Sequence, residues 1–150
     1  MGPLLSAPIG GVNTLRVAIG PGLIAGVLSI FTSWMWMGFV FHRFQRETPE
    51  TWRAEGPRSY IAGIFFHFLA AIGIACLLTL FIRFGVGFFG TGILANLRFA
   101  LCIWGAISLP IVLESAVFIR LHPLVVLGQL LDWLSTSVLA SLITGWWLMH

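Results

Sequence analysis

Three side chains that can bind and release a proton lie within otherwise apolar stretches of this sequence: His67, Glu114 and Asp132. The two carboxylates share the stretch LESAVFIRLHPLVVLGQLLDWLS, and the imidazole lies in SYIAGIFFHFLAAIG. Ionisable groups inside a membrane serve as proton relays, ion sites or counter-ions, so they are candidates for function by default. Which of these roles is open to them depends on the elements that position them.

The composition is that of a membrane protein. Of 150 residues, 59% are hydrophobic and only 9% are charged, whereas a soluble domain carries about 25% charged residues. All eight basic side chains are arginines, and they cluster at a few points along the chain. The net charge of +3 comes without a basic helix face or an aromatic stacking platform, so we predict no nucleic-acid partner.

Four apolar stretches have the length of roughly 20 residues that a helix needs to cross a bilayer core. They are Val17–Phe41, Ser59–Phe84, Leu94–Ile119 and Leu124–Met149. Pro21 falls early in the first stretch, where helical N–H groups lack a partner in any case, and Pro110 should kink the third. The sequence therefore predicts one all-α membrane domain over residues 1–150, a four-helix transmembrane bundle of two antiparallel hairpins.

The longest polar segment, HRFQRETPETWRAEGPRS, joins the first two predicted helices. Within it, Thr48 suits an N-cap, Pro49 suits the first helical position and Gly56 suits a terminator. We therefore predict a short interfacial helix here. Arginine and tryptophan near span ends anchor membrane proteins at the lipid headgroups. The predicted anchors are Arg43, Arg46, Trp52, Arg58, Arg120, Trp146 and Trp147.

The distribution of arginines predicts an orientation. Five of them lie on the side of the first and third loops, and three lie near the opposite face. Cytoplasmic loops carry an excess of basic residues. We therefore predict that the first and third loops are cytoplasmic and both termini periplasmic, in a bacterial inner membrane.

Counting along the predicted helices brings the polar groups to one depth. Glu114 lies eight residues before His122, and Asp132 lies ten residues after it. His67 and Ser33 each lie eight residues from the same face. At 1.5 Å per residue, all four are roughly 12–15 Å deep. With the neighbours of Asp132 on the same helix face, the predicted buried polar layer is Ser33, His67, Glu114, Gln129, Asp132 and Thr136.

Close helix packing should surround this layer. The segment GLIAG is a GxxxG motif from Gly22 to Gly26, and Gly63 lies one turn before His67; small residues at these spacings let neighbouring helices approach closely. Because a carboxylate facing lipid costs several kcal/mol, we expect both acidic side chains to point into the bundle. His67 can then pair with a carboxylate, or one carboxyl group can be protonated and bind the other. We favour a network that shares a proton.

Several roles are open to such a layer. It can form a proton or ion pathway, a cofactor contact through His67 to a haem or another tetrapyrrole, or a network that only joins helices. No cofactor is required by the sequence, and no metal site is predicted because no pair of ligands lies at i and i+4. The nucleophile and metalloprotease motifs GxSxG and HExxH do not occur, nor does a P-loop, so we do not expect an enzyme.

Two functions follow as predictions. The first is a non-catalytic integral membrane subunit or assembly factor of a larger membrane complex, of respiratory or photosynthetic type. Its partners would be membrane lipids and other integral membrane subunits. The alternative is a small transporter or proton-conducting protein that uses the buried His, Glu and Asp layer.

Two segments resemble a family of small four-helix bacterial membrane proteins known as domain of unknown function 1761. They are SWMWMGFVFHRFQRETPETW and FIRLHPLVVLGQLLDWLSTSVLASLITGWW. In that family, the first helix ends in a pair of tryptophan and another aromatic residue. The closing hairpin has a turn with a basic residue and proline, then an acidic residue followed by an aromatic one. On this resemblance the characteristic positions are Trp34, Trp36, Asp132 and Trp133, and the implied property is the four-helix topology.

Overall fold

The computed structural model describes residues 11–52, 56–85 and 92–150 of the chain. These residues are almost entirely helical, and no strand occurs among them. In chain order the elements are α1 (Gly11–Ser33), a π-helical segment (Trp34–Val40), α2 (His42–Gln45), a 3-10 turn (Pro49–Thr51), α3 (Pro57–Arg83), α4 (Gly92–Ile103), a second π-helical segment (Trp104–Ser108), α5 (Leu109–Phe118) and α6 (Pro123–Met149).

Four helical stretches are long and apolar enough to cross a membrane. They are Arg16–Val40, Pro57–Arg83, Gly92–Phe118 and Pro123–Met149. Each boundary lies within two residues of the one predicted from the sequence. The agreement follows from hydropathy, because an apolar run bounded by arginine, proline or glycine has few other places to begin or end.

Helix α6 lies at the centre of the contacts, against α1, α3 and α4, while α1 packs along α3. Helix α6 can occupy this central position because it carries small residues there. The buried ones include Gly128, Ser137, Ala140, Ser141 and Gly145. A Cβ added at Gly145 would overlap the Asn96 amide of α4. Small residues of this kind allow helix axes to approach without a large side chain between them.

The predicted GxxxG contact lies between α1 and α3. A Cβ at Gly22 would be 2.8 Å from the Ile72 Cα, and one at Gly26 would overlap the Phe68 ring. The prediction for Gly63 is wrong, because nothing lies within 4 Å of its Cβ position and the residue is exposed. Toward its N-terminus α3 separates from α1, so this glycine does not bring helices together.

The two prolines inside the spans are accommodated differently. The prediction that Pro21 lies near a helix start is wrong. Pro21 is buried inside α1, which is already helical at Gly11. Just before Pro110 the structure has a π-helical segment, in which the Leu109 N–H donates to the Trp104 carbonyl. A wider turn relieves the clash that a proline ring makes with the carbonyl four residues earlier.

The prediction of an interfacial helix around Trp52 is wrong for the described residues. Only a 3-10 turn, Pro49–Thr51, forms there, and the Thr48 side chain does not cap it. The Thr51 hydroxyl instead donates to the Thr48 carbonyl at 2.7 Å, a local bond that competes with helix formation. Gly56 precedes the first residue of α3 instead of ending a helix; residues 53–55 lie outside the described part.

The first and third connections meet at one end of the molecule through His122. Its Nε2 lies 3.2 Å from Glu47 Oε2, and its ring stacks on Phe44 with centroids 5.0 Å apart. Its Nδ1 accepts the Leu124 N–H at 3.2 Å and so caps α6. Because Nδ1 must be unprotonated to accept, Nε2 carries the hydrogen that is donated to Glu47.

Candidate functional site

The candidate site is built around Asp132, which is buried in α6 with 5% of its surface exposed. The Ser33 hydroxyl, at the end of α1, donates to Asp132 Oδ2 at 2.9 Å. His67 Nε2, on α3, lies 3.3 Å from the same oxygen. Three helices therefore meet at one carboxylate oxygen, and we call these three residues the Asp132 cluster.

The position of His67 is fixed on three sides. Its Nδ1 lies 2.9 Å from the Gly63 carbonyl oxygen, one turn earlier in α3. Its ring stacks on Trp133, with centroids 5.4 Å apart and an angle of 5° between the planes. Since the imidazole cannot turn without losing both contacts, its Nε2 stays directed at Asp132.

These contacts decide where hydrogens must be. The Gly63 carbonyl can only accept, so Nδ1 of His67 carries a hydrogen and donates it. Between Nε2 and Asp132 Oδ2 a second hydrogen is needed, on the nitrogen or on the oxygen, because a bare nitrogen lone pair would otherwise face a carboxylate. The pair is thus a binding site for one proton, whether it is written as imidazolium with carboxylate or as neutral imidazole with carboxylic acid.

Both π-helical segments place an indole beside the cluster. Trp36 Nε1 donates to the Ser135 hydroxyl at 3.1 Å, and Trp104 Nε1 donates to the Leu130 carbonyl at 2.9 Å. The two acceptors lie on either side of Asp132 in α6. π-Helical turns inside α-helices often occur at functional sites, because they re-aim side chains. Neither bond is predicted by α-helical periodicity.

Several buried oxygens near the cluster have no hydrogen-bond partner among the described residues. Asp132 Oδ1 is one, and the hydroxyls of Thr136, Ser141 and Thr144 are the others. The hydroxyls occur at successive heights along α6, roughly 6, 13 and 18 Å beyond Asp132. Buried polar atoms are nearly always hydrogen-bonded in proteins, so these four oxygens are exceptions among the described residues.

A cleft of about 910 Å³ leads to the cluster. Its walls come from the end of α1 with the π-helical segment after it, from the first connection, and from the first half of α3. Aromatic side chains at Phe31, Trp34 and Trp52 line it, and so do Ser33 and His67 of the cluster. Trp52 is therefore half-buried in this wall instead of being an exposed anchor. The cleft separates α1 from α3 at the level of Gly63.

The structure brings together Ser33, His67 and Asp132 from the predicted layer, and Thr136 is buried one turn further along α6. Gln129 is half-buried and makes no side-chain hydrogen bond with the described residues. The placement of Glu114 in the layer is wrong: its side chain is exposed on α5. Helix α5 ends at Phe118 and Ile119 is extended, so the helical rise assumed in counting from His122 does not hold for the residues in between.

The predicted interfacial arginines are exposed at the ends of the helices. Arg43, Arg46, Arg58 and Arg120 all lie at the same end as the first and third connections. Arg43 lies over the Phe44 ring, 4.6 Å from its centroid. At the opposite end, Trp146 and Trp147 are also exposed.

The donor set does not favour a metal or haem. No group of three His, Cys, Asp or Glu residues converges within residues 11–52, 56–85 and 92–150. Both ring nitrogens of His67 already lie within hydrogen-bond distance of an oxygen acceptor. Binding an iron through either nitrogen would leave Gly63 or Asp132 without its partner.

Comparison of the chain with protein-family models, with curated proteins and with solved structures finds no match. The resemblance to domain of unknown function 1761 stays a prediction from its motifs. Of the four positions that it singles out, Trp36, Asp132 and Trp133 lie at the cluster, whereas Trp34 is 68% exposed. The function must therefore be argued from the geometry of the cluster.

Proposed function

We propose that the chain is an integral membrane protein of the bacterial inner membrane, a four-helix bundle that conducts protons through the Asp132 cluster. The observation that carries this proposal is the contact between Asp132 and His67, which is itself part of the wall of a cleft. Asp132 is nine residues into α6 and His67 is ten residues into α3, so both lie roughly 13–15 Å from the helix ends. At that depth a proton can be held by two groups that lipid alone would not solvate.

The pair is suited to take up and release a proton. With the hydrogen present, one of the two atoms, Nε2 or Oδ2, donates it to the other. Without it, the lone pairs of the two atoms repel each other. Ser33 donates to Oδ2 in either state and keeps the carboxylate in position. Release would therefore need a second proton acceptor within reach, and the described residues place none at Asp132 Oδ1.

The surroundings suggest a route on each side of the pair. The cleft leads from the first connection to Ser33 and His67. Beyond Asp132, the unpartnered hydroxyls of Thr136, Ser141 and Thr144 continue along α6 toward the other end. Hydroxyls both donate and accept hydrogen bonds, but these three are fully buried, so water reaches them only if the helices move apart. By the arginine distribution, the cleft would open to the cytoplasm.

Proton flux into proteoliposomes tests the proposal. We expect Asp132→Asn and His67→Gln each to reduce flux by at least about tenfold, because the amide side chains of asparagine and glutamine do not gain or lose a proton near neutral pH. The control is Ser115→Ala, which removes only a hydroxyl bonded to the Ile111 carbonyl of its own helix and should leave flux unchanged. No flux in the wild-type chain, or flux in both cluster variants equal to that of the wild type, would rule out conduction.

A second function, that of a non-catalytic subunit or assembly factor of a larger membrane complex, is favoured by Glu114. This carboxylate is exposed on α5 and forms no bond with the described residues. The stretch that contains it is also the least buried of the four, with 6% of its most apolar window inside the structure. Purification from native membranes in mild detergent, followed by native mass spectrometry, should reveal a stoichiometric partner; a chain that is always found alone would contradict this function.

A further inference from the structure

We infer that the outer face of α5 binds a transmembrane helix of another protein, which offers a basic side chain to Glu114. This inference rests on the second proposed function and names the surface and the chemistry of the partner. The face, here called the Glu114 face, consists of Ile111, Glu114, Val117 and Phe118 of α5, together with Ile107 from the π-helical segment before it. The four apolar members are 48–81% exposed.

The spacing of these residues makes one continuous surface. They recur at intervals of three, four and seven residues, which bring side chains to the same side of a helix. Glu114 lies in the middle, with Ile111 one turn before it and Phe118 one turn after it. Lipid tails could cover the apolar members. Lipid tails cannot hydrogen-bond the carboxyl group at the centre of the face. An ionised carboxyl group in hydrocarbon costs several kcal/mol.

The Glu114 side chain is directed away from the nearer end of its helix. It lies four residues before the end of α5 at Phe118, roughly 6 Å below that end. Side chains leave a helix tilted toward its N-terminus, so this one is directed away from the closer surface and deeper into the span. The partial negative charge at a helix C-terminus further disfavours a carboxylate there. A basic partner at the same depth would remove both penalties.

The charges of this chain argue against a second copy as the occupant. Parallel copies in one membrane keep equal depths, so a symmetric contact would oppose Glu114 to Glu114. Arg98, on the same helical stretch, is sixteen residues earlier and roughly 24 Å away along the axis. Arg120 lies beyond the helix end, and Arg43, Arg46 and Arg58 lie at that same end of the molecule, on the side from which the Glu114 side chain is directed away. Charge complementarity therefore calls for an arginine, lysine or histidine from a different protein.

A defined peptide tests this in lipid bilayers. The probe is a fluorescent oligo-leucine transmembrane peptide with one arginine about four residues from its end, measured by energy transfer to the labelled full-length chain. We expect the wild type to bind it about five- to tenfold more tightly than Glu114→Gln does. The control variant Glu50→Gln, changed in the first connection, should bind as the wild type, and an all-leucine peptide should not distinguish the variants.

Three outcomes would overturn the inference. The arginine peptide could bind Glu114→Gln as well as the wild type. Energy transfer between copies of the wild type, lost in Glu114→Gln, would identify a second copy as the occupant. A native partner that co-purifies equally with wild type and Glu114→Gln would leave the subunit function standing while excluding this face. Failure of the subunit function would appear separately, as the absence of any native partner.

Discussion

Replacing Asp132 by alanine is expected to lower the free energy of unfolding by about 3–5 kcal/mol, the range for removing one member of a buried charged pair. The substitution leaves the Ser33 hydroxyl without its acceptor and His67 Nε2 without its partner. Neither group has another hydrogen-bond partner on α6 among the described residues, although the His67 ring would still stack on Trp133. The loss comes mainly from these stranded donors, since the removed side chain is small.

A double-mutant cycle in detergent micelles measures this coupling. Unfolding by a denaturing detergent would be followed by circular dichroism for Asp132→Ala, His67→Ala and the double variant. Because His67 is one of the groups that Asp132→Ala strands, the double variant should lose clearly less than the sum of the single losses. Ser115→Ala should change stability by no more than about 0.5 kcal/mol. Additive losses at Asp132 and His67 would mean that the two side chains are not coupled.

The depth of Ser33, His67 and Asp132 could be read from the sequence because helical rise is constant. A residue's height follows from its distance to a helix end, and these helix ends are marked by Pro57 and Pro123. The same count failed for Glu114, since α5 stops at Phe118 and the next residues are not helical. Counting also fixes height without fixing which way a side chain faces.

The tryptophan contacts were beyond sequence reasoning for a related reason. Trp36 and Trp104 both lie in π-helical segments, where each turn holds an extra residue and the α-helical pattern of faces is shifted. Pro110 signals an irregularity in the third span, but nothing in the composition of WMWMGFV marks the first one. The aromatic stack of His67 on Trp133 likewise depends on how α3 and α6 are rotated.

Replacing Gly22 by alanine is the second change with a large expected effect. The new Cβ would lie 2.8 Å from the Ile72 Cα, and backbone atoms of α3 cannot move aside as a side chain can. We expect a loss of about 1–3 kcal/mol in the free energy of unfolding, as for other overpacked cores. That loss would outweigh the gain of up to about 1 kcal/mol from the better helix propensity of alanine.

Gly73→Ala provides the matched control, because it makes the same chemical change on α3, one residue after Ile72. Its Cβ position has nothing within 4 Å, so propensity alone should act and stability should rise by up to about 1 kcal/mol. Opposite signs for the two alanines, measured by the same detergent titration, are the expected result. If Gly22→Ala stabilises the protein as Gly73→Ala does, α1 and α3 are not in backbone contact there. In that case α1 and α3 would not cross closely at Gly22. The cleft near His67 could then not be explained by the two helices diverging from such a crossing.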